Sequence, residues 1–152
     1  LASFRAEVAE LNRKVSGAGR LMEETNEEIE LMEKAILNYP NTDITLLKEI
    51  KELKTIMYDC HILMDGDGIR ARHEFEVAPS IQSRLGMVEY QLYDNTAGVS
   101  NTHKANKAIV DAEYAELRVK LDEVIKRVKA LQAKLDAVAI PYTKSKENWK
   151  ED

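Results

Sequence analysis

The sequence predicts an all-α protein, an antiparallel (up-down) four-helix bundle with two long heptad-patterned helices. Three observations predict it. Apolar residues recur alternately three and four positions apart through four separate stretches, a spacing that keeps one stripe of a helix facing a partner helix. Leu, Ala, Glu and Lys dominate, as they do in long amphipathic helices, and 6 glycines and 3 prolines are too few for a loop-rich or all-β chain. At 152 residues the chain suits one domain with a real core, expected over residues 1–143.

Helix one is expected over residues 2–38. Leu1, Phe4, Val8, Leu11, Val15, Ala18, Met22, Thr25, Ile29, Met32 and Ile36 form its stripe. Gly17 and Gly19 interrupt it. Each costs about 1 kcal/mol against Ala, so a local bend or a close helix contact is expected there. Asn38-Tyr39-Pro40 ends the helix, because a residue before proline is pushed out of the α region.

Helix two is expected over 43–65, with Asn41 and Thr42 as caps and Asp43 in its first turn. Its stripe is Leu46, Ile50, Leu53, Met57, Cys60 and Met64, and Asp65-Gly66-Asp67-Gly68 supplies a glycine C-cap and a turn. Ile69 to Ala78 carries no helical stripe and reads as an irregular connection. Pro79-Ser80 opens helix three, over 80–93, with Ile81, Leu85, Val88 and Leu92 on its apolar face; Asp94 to Gly98 is a loop.

Helix four is expected over 102–139, capped by Asn101 or Thr102. Its stripe runs Val110, Tyr114, Leu117, Leu121, Val124, Val128, Leu131, Leu135 and Val138, and Pro141 terminates it. Residues 144–152 make a polar tail apart from Trp149. Helices one and four, at roughly 36 residues, span about 54 Å, and helices two and three together nearly match that length. Stripes this narrow bury their faces against other helices at crossing angles near roughly 20°. Three long rods with helix three as a lid is the alternative arrangement.

Composition also bears on function. A net charge of −5 is mild. The basic residues are scattered without interleaved aromatics, so nucleic-acid binding is not expected. No apolar run approaches 18 residues, so no membrane span is expected. The chain opens Leu1-Ala2-Ser3-Phe4 without an initiator Met or a signal-peptide pattern, which reads as a fragment or mature segment of something longer. One cysteine, Cys60, leaves the redox compartment open.

The candidate chemistry is thin. Asp65-Gly66-Asp67-Gly68 begins like a calcium loop, with Glu76 at its twelfth position, but the fifth is Ile69 and the sixth is Arg70 where glycine is required. Cys60, His61 and His73 come closest to a metal cluster. Neighbouring side chains on a helix diverge by about 100°, and no paired ligand one turn away completes a site, so no metal or cofactor is expected. Glu23, Glu24, Glu27, Glu28, Glu30 and Glu33 flank the stripe of helix one and read as a solvated face, or one docking a basic partner. Lys120, Lys126, Arg127, Lys129 and Lys134 offer partners within the chain. No nucleophile elbow, P-loop, zinc-protease or dinucleotide fingerprint occurs, and no catalytic residue is assigned.

Three stretches nevertheless occur in a familiar order: Pro79-Ser80-Ile81 with Arg84 and Leu85, then Thr102-His103-Lys104 before a long helix, then Ala139-Ile140-Pro141-Tyr142-Thr143 after it. Together they resemble the C-terminal helical region of large bacterial proteins built around a sortilin-like, BNR (Asp-box) repeat β-propeller, often labelled glycosyl hydrolases. The resemblance covers roughly residues 62–143 and hardly touches helix one. The chain departs from it after Thr143, where Lys144-Ser145 stands in place of a Pro-Gly turn.

The resemblance implies an exported parent, periplasmic or secreted, whose catalysis or ligand binding belongs to the propeller. It makes Pro79, Ser80, Arg84, Thr102, His103, Pro141 and Tyr142 family positions, with structural roles: helix start for Pro79-Ser80, capping for Thr102, helix exit for Pro141. His103, in the first turn of helix four, would instead hydrogen-bond the 69–78 connection.

Three function classes follow. The first is a non-catalytic accessory module whose partner is protein, either the upstream domain of the same polypeptide or a homodimer mate. The second is a stand-alone helical protein-binding module with an exposed apolar strip between helices three and four. The third is an enzyme with a site at the 66–78 connection built from Arg70, Arg72, His73, Glu74 and Glu76.

Overall fold

The computed structural model describes residues 2–40, 43–67, 80–94, 98–138 and 140. Of the described residues 91% are helical, in four helices without a strand. These are α1 (Ala2–Asn38), α2 (Ile44–Asp65), α3 (Ile81–Asp94) and α4 (Asn101–Ala137). The fold class is all-α, and the heptads are its cause. On α1 every stripe residue from Val8 to Ile36 is buried, and on α3 all four are. On α2 Ile50, Leu53, Met57, Cys60 and Met64 are buried, with Leu46 half-buried at the start. Thr25 is the one polar residue in the α1 stripe, and its hydroxyl donates to the Leu21 carbonyl at 2.7 Å, so burial leaves no unpaired donor.

The chain divides into two compact units. The first comprises Leu1–Arg20 and Asp59–Val119, the second Leu21–Tyr58 and Lys120–Asp152. The core of the first draws on four helical segments: Val8, Leu11, Val15 and Ala18 of α1, Cys60 and Met64 of α2, the whole α3 stripe, and Val110 and Leu117 of α4. The core of the second draws on three: Met22 to Ile36 of α1, Ile50, Leu53 and Met57 of α2, and Leu121 to Leu135 of α4 with Ile140. Helix α3 therefore serves the first unit alone, while α1, α2 and α4 contribute to both.

The helix ends show what the heptads could not. Asp43, expected in the first turn of α2, is instead its cap: its Oδ1 accepts from the Thr45 N–H at 3.0 Å, and its carbonyl accepts from the Leu46 N–H at 3.1 Å. Asn41 and Thr42 lie outside the described residues. The backbone hydrogen bond from Thr45, joined by a side-chain one, holds the Asp43 carboxyl below its ordinary range. A folded-state value below the unfolded one stabilises above the unfolded pKa and is lost as pH falls through the folded one. The melting-temperature gap between the native chain and Asp43→Ala is therefore expected to be full at pH 7 and to shrink below about pH 4. A gap that widened with acid would rule the cap out.

At the other end of α2, Gly66 sits at φ +87° and its N–H donates to the Ile62 carbonyl at 2.8 Å, the left-handed C-cap that the sequence predicts. Helix α4 stops at Ala137, and the Ile140 N–H reaches back to the Leu135 carbonyl at 2.9 Å, a 6→1 bond of the Schellman kind. Both residues are buried. Val138, which the heptad places in the core, is 54% exposed instead. The helix has ended there, so the heptad angle no longer applies, and Ile140 takes the core position.

Of the two expectations at Gly17 and Gly19, the close helix contact is not met: a Cβ built on either meets nothing within 4 Å beyond its own helix's backbone.

Exposed polar pairs link the helices of the second unit. Lys54 of α2 donates to Glu33 of α1 at 2.7 Å, Arg127 of α4 to Glu52 of α2 at 2.6 Å, and Lys134 of α4 to Glu49 of α2 at 3.1 Å. Two α4 cations thus take partners on α2, while the α1 acidic stretch meets Lys54 through Glu33 and Gln132 through Glu28. Such exposed pairs each contribute about 0–1 kcal/mol.

Candidate functional site

The positions singled out by the sequence divide sharply. Pro79, Pro141 and Tyr142 lie outside the described residues, as do Arg70, Arg72, His73, Glu74, Glu76 and the tail. Ser80, Arg84, Thr102 and His103 are described, and all four belong to the first unit.

Ser80 is buried and caps α3. Its Oγ accepts from the Ser83 N–H at 3.1 Å and its carbonyl from the Arg84 N–H at 2.9 Å. A Cβ on Gly66 would stand 3.6 Å from the Ser80 Cβ, so the end of α2 and the start of α3 lie side by side. One turn on, the Arg84 Nε approaches Glu113 of α4 at 3.4 Å, both side chains about a quarter exposed. The geometry is an ion pair without a hydrogen bond, and among the described residues the buried Arg84 Nε and Gln91 Oε1 have no hydrogen-bond partner.

The start of α4 differs from the sequence expectation. Its cap is Ser100, not Asn101 or Thr102, and Thr102 is exposed. The Ser100 Oγ accepts from the His103 N–H at 3.2 Å, and the Ser100 N–H donates to His103 Nδ1 at 3.1 Å. This is a capping box with histidine in the place usually held by Glu or Gln. An accepting Nδ1 puts the proton of the neutral ring on Nε2. His103 is buried at 7% exposure, so the ring also fills space. Replacing His103 by Ala is expected to lower stability by about 1–2 kcal/mol, and His103→Gln, which keeps an acceptor, to recover part of it. Equal losses in the two variants by thermal denaturation would mean that packing alone is at work.

Cys60 is fully buried, while His61 points outward and pairs with Asp65 at 3.2 Å one turn on. No group of three metal-ligating side chains occurs among the described residues. No helix there is long and apolar enough to cross a membrane.

Two open grooves flank the first half of α1. One, of about 320 Å³, lies against α3 and is lined by Arg5, Val8, Ala9 and Asn12 with Glu89, Leu92 and Tyr93. Arg5 crosses it to donate to the Leu92 carbonyl at 3.3 Å, meeting one of the carbonyls that the end of α3 leaves without an intrahelical partner. The other, of about 510 Å³, lies against α4 and mixes Glu7, Glu10 and Asp111 with Lys14 and Lys107. Lys107 is taken by Asp111 at 2.8 Å, and a hydrogen bond from Arg13 lowers the Glu10 carboxyl below its ordinary range. Opposite charges here neutralise one another instead of converging on a common point.

Exposed apolar residues mark the outer face of α3. Met87 is 50%, Tyr90 70% and Tyr93 89% exposed. Tyr93 lines the groove shared with α1, so this strip adjoins α1 as well as lying on the outside of α3. Neither its aromatic content nor the Arg5 bond was read from the sequence. The helical angles opposite the α3 stripe carried the first signal; nothing local carried the second.

Comparison with protein-family models, curated proteins and solved structures finds no match to this chain.

Proposed function

We propose that this chain is a non-catalytic helical accessory module, the C-terminal part of a larger exported glycosyl-hydrolase-like protein with a sortilin-like β-propeller. One observation carries the structural half of that reading. Ser80 and His103, two residues singled out by the resemblance, are engaged in starting α3 and α4. A serine whose oxygen holds a helix N–H, and an imidazole whose Nδ1 holds another, serve the fold. The antiparallel up-down arrangement belongs to the same proposal. It is supported in the second unit by Glu52 meeting Arg127 while Glu49 meets Lys134, since residue numbers fall along α2 as they rise along α4.

The purified chain, offered a panel of chromogenic glycosides, is expected to release nothing above buffer. Turnover that copurifies with the chain would end the accessory reading. Asp-box repeats encoded upstream of Leu1 are the expected companion finding, and their absence would remove the exported propeller parent.

A second reading, a stand-alone protein-binding module, is favoured by the exposed Met87, Tyr90 and Tyr93 on α3. Under either reading the partner is protein.

A further inference from the structure

Helix α3 is the least firmly held of the four described helices. It is the shortest, at 14 residues. Its buried apolar side chains are Ile81, Leu85, Val88 and Leu92, fewer than on any other helix. It belongs to the first unit alone, whereas α1, α2 and α4 are also anchored in the core of the second. Gly86 stands in its middle, exposed, and a Cβ there would meet nothing within 4 Å beyond its own helix's backbone. The glycine therefore weakens the helix without serving a contact among the described residues.

The docking of α3 is also incompletely paired. Arg84 Nε and Gln91 Oε1 are buried, and among the described residues neither has a hydrogen-bond partner. These residues stand seven apart, two turns along one flank of α3, the flank on which Arg84 meets Glu113 of α4. Water would satisfy both atoms if α3 moved away, so the docked state carries a desolvation penalty that the undocked state lacks. Two further contacts tie the helix down. Arg5 of α1 donates to the Leu92 carbonyl at 3.3 Å, and the Gln82 amide reaches the Met64 sulfur of α2, a weak acceptor, at 3.7 Å.

We propose that α3 is a releasable strap, which undocks and unfolds as one unit while α1, α2 and α4 stay folded. Its release bares an apolar trough in the first unit, floored by Val8 and Leu11 of α1 and Val110 and Leu117 of α4. Proteins open in cooperative sub-units of this kind, and the elements that open first are those with few buried apolar contacts. A released helix of this length does not persist alone in water, so undocking and unfolding are one event. The three longer helices withstand the loss because each keeps its buried stripe residues in the second unit. Opening also returns Arg84, Gln91 and Glu113 to water. The inference stands apart from the accessory reading, since it concerns how the first unit opens and not what the chain is joined to.

Native-state hydrogen exchange of the full chain, followed residue by residue in rising sub-denaturing urea, is the test. The amides from Leu85 to Leu92 are expected to share one opening equilibrium. Their protection should be at least about tenfold below that of Leu11 on α1 and Leu117 on α4, with a shallower urea slope, because less surface is exposed. Gly86→Ala restores helix propensity and is expected to slow this exchange about fivefold. Gln91→Met removes the unpaired oxygen at similar side-chain length and should slow it at least about threefold. Amides of α3 with the same protection and urea slope as Leu11 and Leu117 overturn the proposal, because α3 would then open only when the whole chain unfolds. Fast exchange in α3 that both substitutions leave unchanged overturns it too, since the opening would not be the release of this helix.

Discussion

Truncating Leu131 to alanine is expected to destabilise the protein by about 3 kcal/mol, within a range of about 2–5 for a buried leucine. Leu131 has no exposed surface and lies in the three-helix section of the core, between Val128 and Leu135 on the α4 stripe. The loss combines the transfer energy of the removed carbons with the cavity left between helices that relax only in part. In a chain of this size about 3 kcal/mol corresponds to a fall in melting temperature of roughly 6–12 °C. Val138→Ala is the control. The heptad ranks Val138 with Leu131, but it is 54% exposed, and its truncation should change stability by less than about 0.5 kcal/mol. Ile140→Ala should behave like Leu131→Ala, since Ile140 is 3% exposed. Denaturant melts of the three variants decide the matter. A large effect at Val138 with a small one at Ile140 would mean that α4 continues past Ala137.

Replacing Gly17 and Gly19 together by alanine is expected to stabilise the protein by about 2 kcal/mol. Each glycine lies inside α1, and each gives up about 1 kcal/mol to backbone entropy and lost propensity. The new methyl groups meet no atom within 4 Å beyond the backbone of their own helix, so no contact with a neighbouring helix opposes the gain. Positions i and i+2 do not face one another on a helix, and the two contributions should add. Part of the gain acts through the unfolded chain, which alanine restricts, and so it should appear as a higher denaturation midpoint with an unchanged slope. A loss of stability would show that α1 needs its glycines for a bend or a contact. The single variants would then identify which one.

The all-α fold was legible because a heptad is a local pattern with a tertiary meaning. Val8 to Ile36 and Ile81 to Leu92 are buried as their spacing requires. The Asp65-Gly66 stop was equally legible, since a glycine after a stripe meets the need for a left-handed residue. Thr25 was read correctly as a stripe position, because a hydroxyl that bonds the preceding turn can be buried at little cost.

The helix starts were harder, for a definite reason. Ser100, Asn101 and Thr102 are adjacent, and all three side chains can accept from a helix N–H. Composition does not choose among them. The choice falls to Ser100 because only then does His103 stand at the third helical position, where its Nδ1 returns the hydrogen bond. The same ambiguity shifted the α2 cap to Asp43.

Sequence alone determined the fold class, the four stripes and the residues that make up most of the core, because burial on a helix follows from angular position. Only the tertiary structure decided what each helix meets. It assigned α3 to one unit, paired Arg84 with Glu113 and Arg5 with the Leu92 carbonyl, and gave Glu49 and Glu52 of α2 the α4 cations. It also exchanged Val138 for Ile140 and left Gly86 and Tyr90 uncovered on the outside of α3. These are contacts between residues far apart in the chain. Their partners are set by how the helices pack, and a periodic pattern records which side of a helix is buried without recording against what.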